Sequence, residues 1–136
     1  MNPKNAMIIM LWLLAAVMLF HLSIVLKIIP YENTWGGRLK NDGEMYVFET
    51  ISLVVNLFLF SILLIKGKYV KEYLSQKVVN IILWFFIMLF GLNTVGNILA
   101  ETNFEKAFAL VTLTFVILIW IILRKDKKPV SNSDLE

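Results

Sequence analysis

The chain contains no cysteine, which excludes disulfides, thiolate metal sites, cysteine nucleophiles and CxxC redox chemistry. It contains a single histidine, so a metal site would be short of nitrogen ligands, and neither a metal nor a cofactor is expected. No P-loop, HExxH or GxSxG motif is present, and no run of basic residues with interleaved aromatics suggests a nucleic-acid face. No internal repeat stands out, so an inverted-repeat transporter folded from one chain is not indicated.

Charge is also scarce. Apolar residues make up 59% of the 136 positions and charged residues 17%, and a mean hydropathy of +0.75 lies far from that of a soluble domain. Four stretches reach the length of about 20 mostly apolar residues that a membrane-crossing helix needs: 6–29, 44–65, 78–99 and 104–123. They are unbroken rather than alternating, which favours helices over a β-barrel. The expected fold is therefore all-α: an integral membrane four-helix bundle forming one domain over 1–123, followed by a disordered basic tail over 124–136.

The first span begins beside Lys4 but is too long for a signal-peptide core and has no small-x-small cleavage site after it, so it reads as uncleaved. Pro30 is expected to stop it. Asn41 or Asp42 suits an N-cap for the second span, and Thr102-x-x-Glu105 reads as a capping box for the fourth. Gly96 and Ala100 form a small-xxx-small pair, expected to let helices approach closely.

Orientation follows from the basic residues. Lys4, Lys66, Lys68, Lys71, Lys77, Arg124, Lys125, Lys127 and Lys128 fall on one side, whereas the opposite loops hold Arg38, Lys40 and Lys106, with Lys27 nearby and expected to snorkel outward. Both termini are expected in the cytoplasm. Trp12, Trp84 and Trp120 would form an aromatic belt at that end. The plasma membrane, and the bacterial inner membrane given the brevity of the chain, is the expected location.

The polar residues within the spans cluster toward the outer half. His21 is expected about eight residues, roughly 12 Å, from the outer end of the first helix. Glu49 lies about five residues into the second, and Asn93 and Asn97 occupy the last turns of the third. At about 100° per residue, Glu49 and Asn56 share one face, Asn93 and Asn97 another, while Trp12 and Trp84 point away from them.

A charge near the bilayer centre costs about 2.5–3.5 kcal/mol, so Glu49 needs a partner; Lys27, Arg38 and His21 are within reach. His21, Trp35, Arg38, Glu49, Asn56, Asn93 and Asn97 are the candidate ligand-binding residues, forming an outward-facing polar pocket roofed by the loop that carries Trp35-Gly36-Gly37-Arg38. The plainer alternative is that Glu49 pairs with Arg38 to pin the loop while His21 and the asparagines hydrogen-bond between helices.

Three functional classes stand. One is a module that binds or transports a small or lipid-like ligand, alone or as a homo-oligomer. Another is an intramembrane acid/base enzyme in which His21 and Glu49 move a proton on a substrate such as a sterol or isoprenoid. The last is an accessory subunit of a larger membrane complex.

Overall fold

The computed structural model describes residues 1–35, 39–100 and 103–124. Arg38, Glu101, Thr102 and the tail from 125 onward lie outside the described residues, and with them the capping-box and disordered-tail expectations. The chain is all-helical: α1 (Pro3–Val25), a 3₁₀ turn (Tyr31–Asn33), α2 (Asp42–Lys66), α3 (Gln76–Ile98) and α4 (Asn103–Leu123). All four α-helices are long and apolar enough to cross a membrane. With 21 to 25 residues each, at about 1.5 Å per residue they run about 32–38 Å, against a hydrocarbon core of about 30 Å.

Local chemistry sets the helix starts. Asn2 Oδ1 accepts from the Lys4 N–H at 2.9 Å ahead of Pro3, and Asn41 Oδ1 accepts from the Glu44 N–H at 2.9 Å. The Glu44 carboxylate in turn accepts from the Lys40 N–H at 2.9 Å, so two otherwise unpaired donors are satisfied reciprocally. Ser75 caps α3 through Val78 N–H.

The end of α1 departs from expectation. The α1 helix stops at Val25, well before Pro30, because Lys27 adopts a left-handed backbone (φ 57°). The Lys27 N–H bonds to the Ile24 carbonyl and the Ile28 N–H to the Ser23 carbonyl, the paired bonds of a Schellman turn. The same pattern closes α2: Lys68 (φ 59°) takes the left-handed position while Gly67 remains helical, with Lys68 N–H on Ile65 and Tyr69 N–H on Leu64. In both turns a lysine occupies the place that glycine usually fills. Lys27 also pairs with Asp42 at the start of α2, so it bridges two elements rather than simply reaching outward. That hydrogen bond holds the lysine pKa above its ordinary value and the Asp42 pKa below its own, so the pair contributes at neutral pH and is lost both in strongly alkaline solution and in solution acid enough to protonate Asp42.

The helices alternate in direction and close a ring in chain order, with α4 returning to α1; the α3–α4 seam is the broadest and α2–α3 the narrowest. The buried apolar core sits almost wholly in the half that holds Pro3 and Leu123. It is built from Met10 and Leu14, Leu59 and Leu63, Leu83 and Phe86, and Phe115 and Ile119. In the same half Lys66 Nζ donates to Asn80 Oδ1 at 2.7 Å. Trp12, Trp84 and Trp120 are exposed there, pointing out of the bundle as their spacing implies. The other half is splayed. A Cβ built on Gly96, which is exposed, meets nothing within 4 Å. The small-xxx-small reading is therefore corrected: Gly96 faces open space at the α2–α3 seam instead of permitting a tight helix crossing.

Candidate functional site

A cavity of about 320 Å³ occupies the splayed half and is lined by all four helices. Its walls are mostly aromatic and aliphatic, including Phe20, Val55, Phe90, Phe108, Val111 and Phe115. On one flank the rings of Phe20, Phe104 and Phe108 stack in a cluster that closes the α1–α4 seam, with centroids 5.1–6.1 Å apart. Beneath it Phe115 meets Phe90 edge-on at 5.0 Å, and both belong to the packed core. The cavity is thus sealed toward the Pro3/Leu123 end.

Glu49 is fully buried, with 0% exposure. Its Oε2 lies 2.6 Å from His21 Nδ1 and its Oε1 accepts from Trp35 Nε1 at 2.8 Å. Indole nitrogen can only donate, so Oε1 is an acceptor, and a single hydrogen bond joins Oε2 and Nδ1. Of the three partners the sequence allows for Glu49, His21 is the one observed. Lys27 is committed to Asp42, and Arg38 lies outside the described residues.

The meeting of His21 and Glu49 follows from helix geometry. With α1 ending at Val25, His21 lies four residues from the helix end, one turn rather than the two expected. Glu49 lies seven residues into α2. The backbone levels differ by about 4–5 Å. Helical side chains lean toward their own N-terminus, which carries His21 deeper and Glu49 toward the mouth, and the antiparallel pair closes the gap.

Trp35 arrives from the loop. Its backbone is left-handed (φ 52°), an uncommon conformation for a bulky residue, and its ring packs on Phe48 at 5.0 Å. The preceding Thr34 is buried and anchors the 3₁₀ turn by donating to the Tyr31 carbonyl at 2.7 Å. Sequence reasoning placed Trp35 in the loop that roofs the pocket; its hydrogen bond to a buried carboxylate had no signal in the residue pattern.

The asparagines differ from one another. Asn56 lines the cavity two turns below Glu49 on the same face and is buried. Asn93 and Asn97 also line it, but at the side, where a second cleft between the start of α2 and the end of α3 shares them together with Trp35. Among the described residues the Asn93 and Asn97 side chains make no hydrogen bond. The polar link from α3 to a neighbouring helix in this half instead runs from Thr94 Oγ1 to Thr112 Oγ1 at 2.8 Å. Six of the seven candidate residues, all but Arg38, therefore border one cavity. Among the described residues no cluster of three or more His, Asp or Glu side chains could hold a metal ion.

Comparison with protein-family models, with curated proteins and with solved structures finds no match to this chain.

Proposed function

We propose that the chain is a multi-pass plasma-membrane protein that binds a small lipid-soluble ligand in an outward-facing cavity, with the Pro3 and Leu123 helix ends on the cytoplasmic side. The observation that carries this reading is the cavity itself. Apolar walls over most of its surface, with a few polar groups among them, match the composition of small-molecule sites, and about 320 Å³ falls at the lower end of their volumes. The orientation is supported by the excess of lysine and arginine around the Pro3/Leu123 end and by the three exposed tryptophans there. Binding is favoured over conduction because the packed half of the bundle leaves no path beyond Phe90 and Phe115. The sparsely packed α2–α3 seam, with its second cleft beside Trp35, gives a ligand a route in from the side of the bundle.

A second reading, intramembrane acid/base catalysis, draws on the 2.6 Å contact between His21 and Glu49 at the cavity wall. A carboxylate that orients an imidazole leaves the second ring nitrogen available to exchange a proton with a bound molecule. The two readings part on Glu49→Gln and His21→Ala: catalysis requires that turnover be lost while folding and ligand retention persist.

The binding reading is tested by photolabelling in reconstituted membranes with a diazirine-bearing fatty alcohol and mapping the adducts. Label is expected on Val55, Phe90 and Val111, and should fall at least tenfold in the cavity-filling variant Val55→Trp. Label confined to outward-facing positions such as Leu19, Leu57 and Leu110 would refute a bound ligand in the cavity.

A further inference from the structure

We infer that the ligand is an uncharged, lipid-soluble alcohol whose hydroxyl sits at the deep end of the cavity, against Asn56 and Ser52; this rests on the binding reading above. Asn56 is only 6% exposed and lines the cavity. Its Nδ2 donates to the Ser52 carbonyl at 2.8 Å. A backbone carbonyl can only accept, so the amide orientation is fixed and Oδ1 is the atom left over. Asn56 Oδ1 is buried and has no hydrogen-bond partner among the described residues. An amide oxygen buried at mid-span without a donor is costly, and the other buried polar side chains of this half, Thr34, Glu49 and Thr94, all have partners.

The missing partner must bring a proton. A carboxylate ligand brings none. An ammonium would need a counter-charge at that depth, and the carboxylates lining the cavity, Glu49 and Glu105, belong to the outer end of the bundle. Glu49 is seven residues, about 10 Å, above Asn56 along α2. A neutral donor remains. Ser52 lines the same stretch, and its hydroxyl makes no hydrogen bond among the described residues, so it offers a donor one turn from the orphaned acceptor. One donor and one acceptor side by side complement a hydroxyl, which both gives and accepts. The surrounding Val55, Leu89, Phe90 and Phe115 call for an apolar body. The hydroxyl thus points inward, opposite to the placement of a lipid headgroup.

The test compares 1-dodecanol, its methyl ether 1-methoxydodecane, and dodecane, each offered to the detergent-solubilised protein and counted as retained adducts by native mass spectrometry. Wild type should retain the alcohol about tenfold better than the ether, the size of effect expected when a buried acceptor gains or lacks its donor. In Asn56→Leu that preference should shrink to within about twofold while ether and alkane are still retained. Equal retention of alcohol and ether by wild type overturns the inference and leaves the binding reading standing; it would mean that water satisfies Asn56. A tenfold preference that survives in Asn56→Leu overturns it as well. Retention of none of the three probes refutes the binding reading and the inference together. If Asn56→Leu fails to fold, Ser52→Ala carries the test: the alcohol preference should narrow, and an unchanged tenfold preference overturns the inference.

Discussion

Glu49→Ala should destabilise the protein by about 3 kcal/mol, at the low end of the loss seen when one member of a buried charged pair is removed. The individual hydrogen bonds do not supply this figure, since inter-helix bonds in membrane bundles average only about 0.6 kcal/mol. The larger share comes from what stays behind: the His21 ring and the Trp35 N–H, both aimed at a fully buried carboxylate, lose their acceptor together. Trp35 is partly exposed and can turn toward solvent, which is why the low end of the range is expected. Glu49→Gln keeps an acceptor for Trp35 and should cost about 1 kcal/mol or less. The double variant His21→Leu/Glu49→Leu removes the polar pair as a unit and should recover most of the Glu49→Ala loss. Denaturation in mixed micelles measures all three. An unaltered midpoint for Glu49→Ala would show that the triad contributes nothing to holding the loop on the bundle.

Phe115→Ala should cost about 2 kcal/mol, below the 3–5 kcal/mol typical of the same truncation in a water-soluble core. The difference is physical. In a soluble protein the loss combines removal of apolar surface from water with the void left behind. Between helices already in lipid the first part vanishes, because the separated helix is also in an apolar medium, and the packing part remains. Phe115 is buried, meets Phe90 edge-on and closes the cavity at its base, so truncation should also deepen the cavity. The variant is expected to unfold earlier in the micelle assay and yet accept longer alcohols than wild type. A loss without any change in chain-length preference would detach Phe115 from the cavity.

The four helices were legible because their signal is compositional: long apolar runs separated by polar segments require no knowledge of tertiary contacts. Their ends were less so. Pro30 marks a stop, but the stop used comes earlier, at a lysine in a left-handed turn, where neither glycine nor asparagine flags the position. That displacement moved His21 one turn nearer the mouth. The polar residues on α2 could be grouped by helical spacing, yet the choice among Lys27, Arg38 and His21 as partner for Glu49 could not be made from spacing. It depends on the opposed lean of side chains on two antiparallel helices, and on Asp42 engaging Lys27 first. Gly96 illustrates the reverse error: a small-xxx-small pair is a packing signal only where a second helix comes close, and here the α2–α3 seam is open. Asn56 was visible as an inward-facing polar residue. That its oxygen lacks a partner is a fact of packing that no pattern encodes.

The claim at the centre is that a cavity organised by Glu49 holds a ligand. Native mass spectrometry of the protein released from mild detergent, wild type against the cavity-filling variant Val55→Trp, tests it most directly. Wild type should carry a small-molecule adduct that the variant, equally folded, retains at least tenfold less. Bare protein in both cases, or the same adduct in both, would contradict it and leave Glu49 with the task of pinning Trp35 and its loop to the helices.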